Sequence, residues 1–424
     1  MTFGKGTLKA LGPGLLFAAV SVGVSHLVQS TRAGAEYGFT LIWIIILALL
    51  LKYPLFEFGQ RYTVATGYSL LEGYRRQGKW SLVLYLLLTL GTMFTVLGAI
   101  TAVAAGLAIQ LTGWEPSISG ISVITVWSVI LMIISVLILA VGRFPLMDKV
   151  IKGTMAILIL STIVATISVL PRLSGIRLWG SVGLKDIGFI VALVGWMPTG
   201  LDVSVWQSFW TLARKKETGH SATLKQTLLD FNIGYIGTGI LALMFCILGT
   251  AVMFDKGIEI QKSAGAFAGQ IIDLYTSTLG SWSRPIIVIS AFTTIFSTML
   301  TVIDGFPRAL QLVGRRFKTA EDSNEVLEKS GHSFDYWIWM VTLTIGAMLI
   351  IIFYLKSLGD LVDLATTLSF LSAPFLGFLT YKAVMAPEVP DEFKPGFWLQ
   401  LLAISGIVFL SAFMLYFLYF RFLG

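Results

Sequence analysis

Gly195-Trp196-Met197-Pro198-Thr199-Gly200, with Asp202, Ser204, Gln207 and Ser208 following, interrupts a stretch (186–212) that is otherwise largely apolar. Glycine and proline weaken a helix and leave backbone groups unpaired. In a bilayer such backbone is tolerated only where it lines a cavity or packs against protein. A second stretch of this kind stands five apolar segments earlier. It reads Gly12-Pro13-Gly14, then Ser21-Val22-Gly23-Val24-Ser25-His26, then Gln29, Arg32 and Glu36. Interrupted spans at matching positions of two halves point to a transporter with its binding site near the midplane.

The surrounding sequence agrees with a membrane setting. The chain has 424 residues, of which 56% are hydrophobic and 12% charged, against about 25% charged in a soluble domain. Runs such as 117–141 and 397–419 are nearly free of charge and reach the ~20 residues a helix needs to cross the hydrocarbon core. They are continuous rather than alternating, which excludes a β-barrel. The first apolar segment has no small-residue cleavage site and runs into a second one, so it reads as a mature helix and not a signal peptide. Cys246 is the only cysteine, which removes intrachain disulfides and thiolate clusters.

The expected fold is all-α integral membrane with about eleven transmembrane helices. Spans are expected near 11–38, 39–62, 81–111, 117–142, 147–170, 186–212, 227–254, 283–306, 335–355, 359–383 and 397–420. Segment 256–280 is mildly amphipathic and is expected over the outer mouth, whereas 315–329 reads as a solvated cytoplasmic loop. Residues 1–424 form one transporter domain: 11–170 and 186–383 are inverted five-helix repeats with broken helices 1 and 6, and 397–420 is an additional helix. The net charge of +7 reflects Lys and Arg gathered on alternate loops, among them Lys5, Lys9, Arg75, Arg76 and Arg214 to Lys216. That bias puts the N-terminus in the cytoplasm and the C-terminus outside the inner (plasma) membrane. The expected partners are the lipid bilayer and a small inorganic ion, with no nucleic acid, and the chain is expected to act as a monomer.

Span 1 carries a family resemblance. Gly12-Pro13-Gly14 and Arg32-Ala33-Gly34-Ala35-Glu36-Tyr37-Gly38 resemble the first helix of Nramp divalent-metal transporters, and Met197-Pro198 is similar to that family's Met-Pro-His signature. The resemblance implies the family's fold, of the kind first seen in amino-acid/sodium symporters. It also exposes departures. The family's first break carries Asp-Pro-Gly-Asn, whose Asp and Asn coordinate metal; the positions here are Gly23, Val24, Ser25 and His26. The family's histidine, tied to proton movement, is replaced by Thr199.

The site rebuilt by these changes is expected to comprise Gly23, Ser25, His26, Met197, Thr199 and Gly200. Hard divalent cations want carboxylate oxygens, and softer metals accept imidazole and thioether. The cores of the two breaks offer His26 and Met197 but no anionic ligand, and a dication without a counter-charge is costly at the midplane. Half-helix N-termini at the breaks, together with His26 and with Arg32 two turns on, favour a small anion, bicarbonate first, with chloride or nitrate also compatible. No metal or cofactor is expected apart from a bound Na⁺ as driver. Thr293, Thr294, Ser297, Thr298 and Thr301 lie on span 8, four of them on one face. By resemblance to sodium symporters, Thr294, Ser297 and Thr298 would hold that ion against the span 1 break, with Asp202 as the nearest carboxylate. Hydroxyls in membrane helices also serve packing alone.

Among other charges, Glu57 and Arg61 are expected to pair across one helical turn. Asp304 is placed at the end of span 8 as a cap or gate, Asp360, Asp363, Thr366 and Thr367 open span 10, and Asp230 and Asn232 could join an inner pathway. His220 and His332 fall in polar loops. Two other readings stay open: a divalent-metal (Mn, Mg or Fe) transporter using His26, Met197 and backbone carbonyls, and a passive channel or sensor. No phosphate-binding glycine loop or acid–base pair supports an enzyme.

Overall fold

The structure, a computed structural model, describes residues 5–116, 118–142, 144–173, 180, 182–318, 333–354 and 357–423. Among these residues the chain is helical and no strand forms beyond one isolated bridge, Ile118 with Ile121. Nine helices are long and apolar enough to cross a membrane, and the pair Pro13–Ser21 and Ser25–Tyr37, bent by 46°, makes a tenth crossing. An eleventh is divided more widely, with 196–202 separating Ile187–Gly195 from Val203–Thr218. The halves are called 1a, 1b, 6a and 6b.

The other spans are Ile42–Thr66 (span 2), Lys79–Thr112 (3), Val123–Val141 (4), Phe144–Val169 (5), Leu224–Val252 (7), Arg284–Lys318 (8), Phe334–Tyr354 (9), Leu358–Val384 (10) and Phe397–Phe422 (11). Span 8 corrects one expectation. It is expected to end near 306 with Asp304 at its last turn, yet the helix runs through Pro307 to Lys318. Asp304 is therefore internal, paired with Arg308 at 2.8 Å and accepting from the Tyr336 hydroxyl at 2.6 Å. The greater part of the expected loop 315–329, and His332, lie outside the described residues. The amphipathic segment folds as helix Ala264–Leu279.

Both halves of span 1 pack on span 7, while 6a lies on span 10 and 6b on span 2. The crossing of 1b with span 7 needs glycine on both sides. A Cβ on Gly34 would overlap the Cys246 carbonyl, and one on Gly249 would overlap the Thr31 carbonyl. At the other end of span 1, Asp230 of span 7 accepts from Gly12 N at 3.1 Å and Gly14 N at 2.6 Å. It thereby satisfies free N–H groups at the start of 1a, where the helix dipole also favours an anion.

The bundle has a basic end, carrying Arg75, Arg76, Arg214 and Arg316, and a far end carrying Arg32, Glu36 and Asp363. Glu57 and Arg61 pair at 2.5 Å toward the basic end, as their spacing suggests. Outward-facing side chains such as Leu137, Val164, Phe353, Trp398 and Leu415 are apolar and exposed, as required of a surface that meets lipid.

Candidate transport site

The two breaks face each other across a cavity of about 30 Å³, room for very few water-sized groups. Span 1 contributes Val20, Val24 and Ser25, and the span 6 break contributes Trp196, Thr199, Gly200 and Asp202. Val203 and Trp206 of 6b, Val96 and Ile100 of span 3, Thr298 and Val302 of span 8, and Ser369 of span 10 complete the wall. Of the expected site residues, the fold gathers Ser25, Thr199, Gly200, Asp202 and Thr298 around one space.

The remaining members of the expected set stand elsewhere. His26 is fully buried, and its ring turns to span 7: Nε2 donates to the Thr238 carbonyl at 2.8 Å, and Nδ1 lies 2.8 Å from Ser25 Oγ. Residues Ser25–Ser30 wind as a π turn, and His26 reaches Thr238 from within that wider turn. It is therefore a strut between 1b and span 7 rather than part of the cavity wall. Gly23 and Met197 are buried but do not line the cavity. A Cβ on Gly23 would come within 3.0 Å of Thr298 Oγ1, so glycine permits that approach.

On span 8, Thr294 and Ser297 hydroxyls donate to carbonyls of their own helix, at 2.7 Å to Ser290 and 3.0 Å to Thr294. Thr293 and Thr301 do the same. Only Thr298 reaches across, with Oγ1 3.1 Å from the Ala19 carbonyl of 1a.

Three features of the site were not anticipated. Lys52 of span 2 is fully buried, and its Nζ donates to the carbonyls of Val194 at 3.2 Å, Gly195 at 3.0 Å and Thr199 at 2.9 Å. Trp206 buries its indole N–H with no acceptor from the protein, while its ring packs edge-on against Phe306 at 4.8 Å. Trp196 donates to Ser369 Oγ at 2.8 Å, which joins the break to span 10. Lys52 stands out in the sequence as a charge within span 2, a functional candidate by default, but its carbonyl partners do not. Trp206 carried no signal distinguishing it from an ordinary core aromatic.

Toward the far end, 1b is tied to span 10. Arg32 of 1b donates to Asp363 of span 10 at 2.8 and 3.2 Å, and Gln29 donates to Asp363 at 2.9 Å and Thr366 at 3.3 Å. Arg32 also pairs with Glu36 at 3.3 Å and stacks on Phe189 at 4.7 Å. Its charge is thus spent on a tie between two helices, which corrects the expectation that it lends positive potential to the site. Beyond the tie lies a wider space of about 210 Å³, bounded by Arg32, Glu36, Lys262 and Asp360.

Discontinuous helices that enclose a small cavity inside a multi-span bundle, with a polar tie above it, define a membrane transporter. The chain belongs to the Nramp family. Its sequence matches the natural resistance-associated macrophage protein-like family over residues 14–420. An uncharacterized protein of Pasteurella multocida (strain Pm70) is 34% identical over 417 residues, spanning 96% of this chain and 92% of its own. A mutant form of the Eremococcus coleocola manganese transporter superposes with a TM-score of 0.70 at 14% identity, covering 98% of this chain and 87% of its own. MhsT in complex with L-phenylalanine gives a TM-score of 0.60 at 17% identity, covering 96% and 98%. At these identities the solved structures speak for the fold alone: two inverted five-helix repeats with broken helices 1 and 6, plus an eleventh helix. The family is one of transporters acting on small ions in the membrane, not of enzymes.

Proposed function

We propose that this Nramp-family transporter carries a small inorganic anion, bicarbonate first, with sodium as the coupling ion. The observation that carries the reading is Trp206, which lines the cavity and buries an indole N–H with no acceptor from the protein. Indole nitrogen only donates, and a buried donor without an acceptor costs about 1–3 kcal/mol. An anion supplies the missing acceptor, and the start of half-helix 6b beside Trp206 favours negative charge. Asp202 on the same wall would repel a bare anion, so a cation has to enter with it. Thr298 Oγ1, the Ala19 carbonyl and Ser25 Oγ are oxygen donors of the type that a hard cation takes. Coupling also answers the membrane potential, which opposes anion entry by about 2.3 kcal/mol per charge per 100 mV.

The basic end is then cytoplasmic, with the N-terminus inside and the C-terminus outside the plasma (inner) membrane. The chain works as a monomer whose repeats span 11–170 and 186–383, with 397–420 appended. A second reading, transport of a divalent metal, is favoured by the likeness to a manganese transporter and by Met197 at the break.

Purified protein in liposomes separates the two. Under a sodium gradient, bicarbonate uptake that falls about tenfold in Trp206→Phe and loses its sodium dependence in Thr298→Val supports the anion reading. Manganese or magnesium uptake that saturates and disappears in Met197→Ala, with no response to bicarbonate, replaces it. Current without coupling to a second ion would instead make the protein a channel.

A further inference from the structure

We infer that Lys52 is the specificity-determining residue of the transport site: its ammonium fills an oxygen-lined cation position at the carboxyl end of half-span 6a, and so closes that position to free alkali and metal cations. Val194 and Gly195 are the last two residues of 6a, and Thr199 lies in the break and lines the cavity. The carbonyls at the end of a helix have no partners within it and carry the negative end of the helix dipole. The Val194 and Gly195 carbonyls at that end, and the Thr199 carbonyl in the break, converge within 3.2 Å of the ammonium and make a cation site. An ammonium group has three protons and no acceptor, so each proton meets one carbonyl. An ammonium is close in size to a potassium or rubidium ion, which defines the free cations that the position would otherwise accept.

The tether makes the occupancy permanent. Lys52 sits in the middle of span 2, held on one side by Tyr53, whose hydroxyl donates to Asn232 at 2.8 Å, and below by the Glu57–Arg61 pair. The same break also carries a carboxylate, Asp202, on the cavity wall. Asp202 stands just before the first residue of 6b, where a helix N-terminus favours an anion. The break of span 6 therefore holds a cation at its carbonyl end and an anion at its N–H end, both supplied by the chain. An entering cation finds these three carbonyls taken, and only the other groups of the cavity, among them Ser25 and Thr298, are left to a solute or coupling ion.

The test needs no transported substrate, so its outcome is independent of whether bicarbonate is carried. Wild-type protein, Lys52→Ala and Lys52→Gln in detergent micelles are dialysed to equilibrium against radioactive rubidium. Each is also melted in ammonium, rubidium or choline chloride at equal ionic strength. The expected result is no saturable rubidium binding by wild type and clear binding by Lys52→Ala. Ammonium and rubidium, but not choline, should raise the denaturation midpoint of Lys52→Ala by about 2 °C. A folded Lys52→Ala that shows neither effect overturns the inference. So does rubidium or manganese binding by wild type that weakens about tenfold in Asp202→Asn, because a free cation would then share the site with the ammonium. Where both Lys52 variants fail to fold, the wild-type titrations decide alone.

Discussion

Substituting Asp363→Asn tests whether the tie between 1b and span 10 is what keeps the cavity shut toward the far end. In the structure the Asp363 carboxylate takes two hydrogen bonds from Arg32 and one from Gln29. The Arg32 side chain is 10% exposed and that of Asp363 30%. Breaking a fully buried pair costs about 3–5 kcal/mol, and an exposed one contributes about 0–1. The intermediate exposure of Asp363, and the Glu36 carboxylate that stays with Arg32 at 3.3 Å, place the loss near 2 kcal/mol. If the tie exists only while the far end is closed, that loss shifts the closed–open balance by about 30-fold. Ile100→Cys on the cavity wall reports the change, since the native Cys246 is fully buried and silent. The rate at which an impermeant maleimide labels Ile100→Cys from the far side of a proteoliposome should rise by about that factor in Asp363→Asn. An unchanged rate would refute the assignment of Arg32 and Asp363 as the closure.

Three further outcomes are expected. Glu72 is buried and ion-paired with Arg75 at 2.6 Å and Arg316 at 3.0 Å, so Glu72→Gln should cost about 3 kcal/mol, read as a lower denaturation midpoint in micelles. Asp230→Ala removes the acceptor for Gly12 and Gly14 and should cost about 1–2 kcal/mol. Amide exchange confined to 13–21 should accelerate, and uniform exchange across the bundle would contradict this. His26→Ala should behave as a folding defect of about 2 kcal/mol, with Thr298→Val near wild-type stability. A stable His26→Ala that loses only transport would return His26 to the site.

Much of the architecture was legible because the bilayer is an exacting solvent. It admits helices of one length range and makes interrupted helices conspicuous, so Ser21 to His26 and Gly195 to Gly200 announced both broken spans. Span 8 outruns its expected end near 306, and Asp304 lies within the helix rather than at its end. Pro307 lies within the continuing helix, as proline can in a membrane bundle that re-satisfies the freed backbone groups. The site was legible only in part. Ser25, Thr199, Gly200, Asp202 and Thr298 were marked by polarity at mid-membrane, and all five meet at one cavity.

The direction in which each side chain points was not written in the local sequence. His26 neighbours a cavity residue, yet the π turn at Ser25–Ser30 brings its ring to Thr238, and Arg32 is drawn to Asp363, far along the chain. Lys52 joins the site through carbonyls more than a hundred residues away, and backbone carbonyls have no signature in a sequence. What the sequence alone determined is the membrane class, the number of spans and the two breaks, because those follow from periodicity and from the cost of unpaired backbone in lipid. Which charges are spent on struts and ties, and which polar groups are left to face a solute, was decided by tertiary structure, because hydrogen-bond partners are chosen by proximity in space.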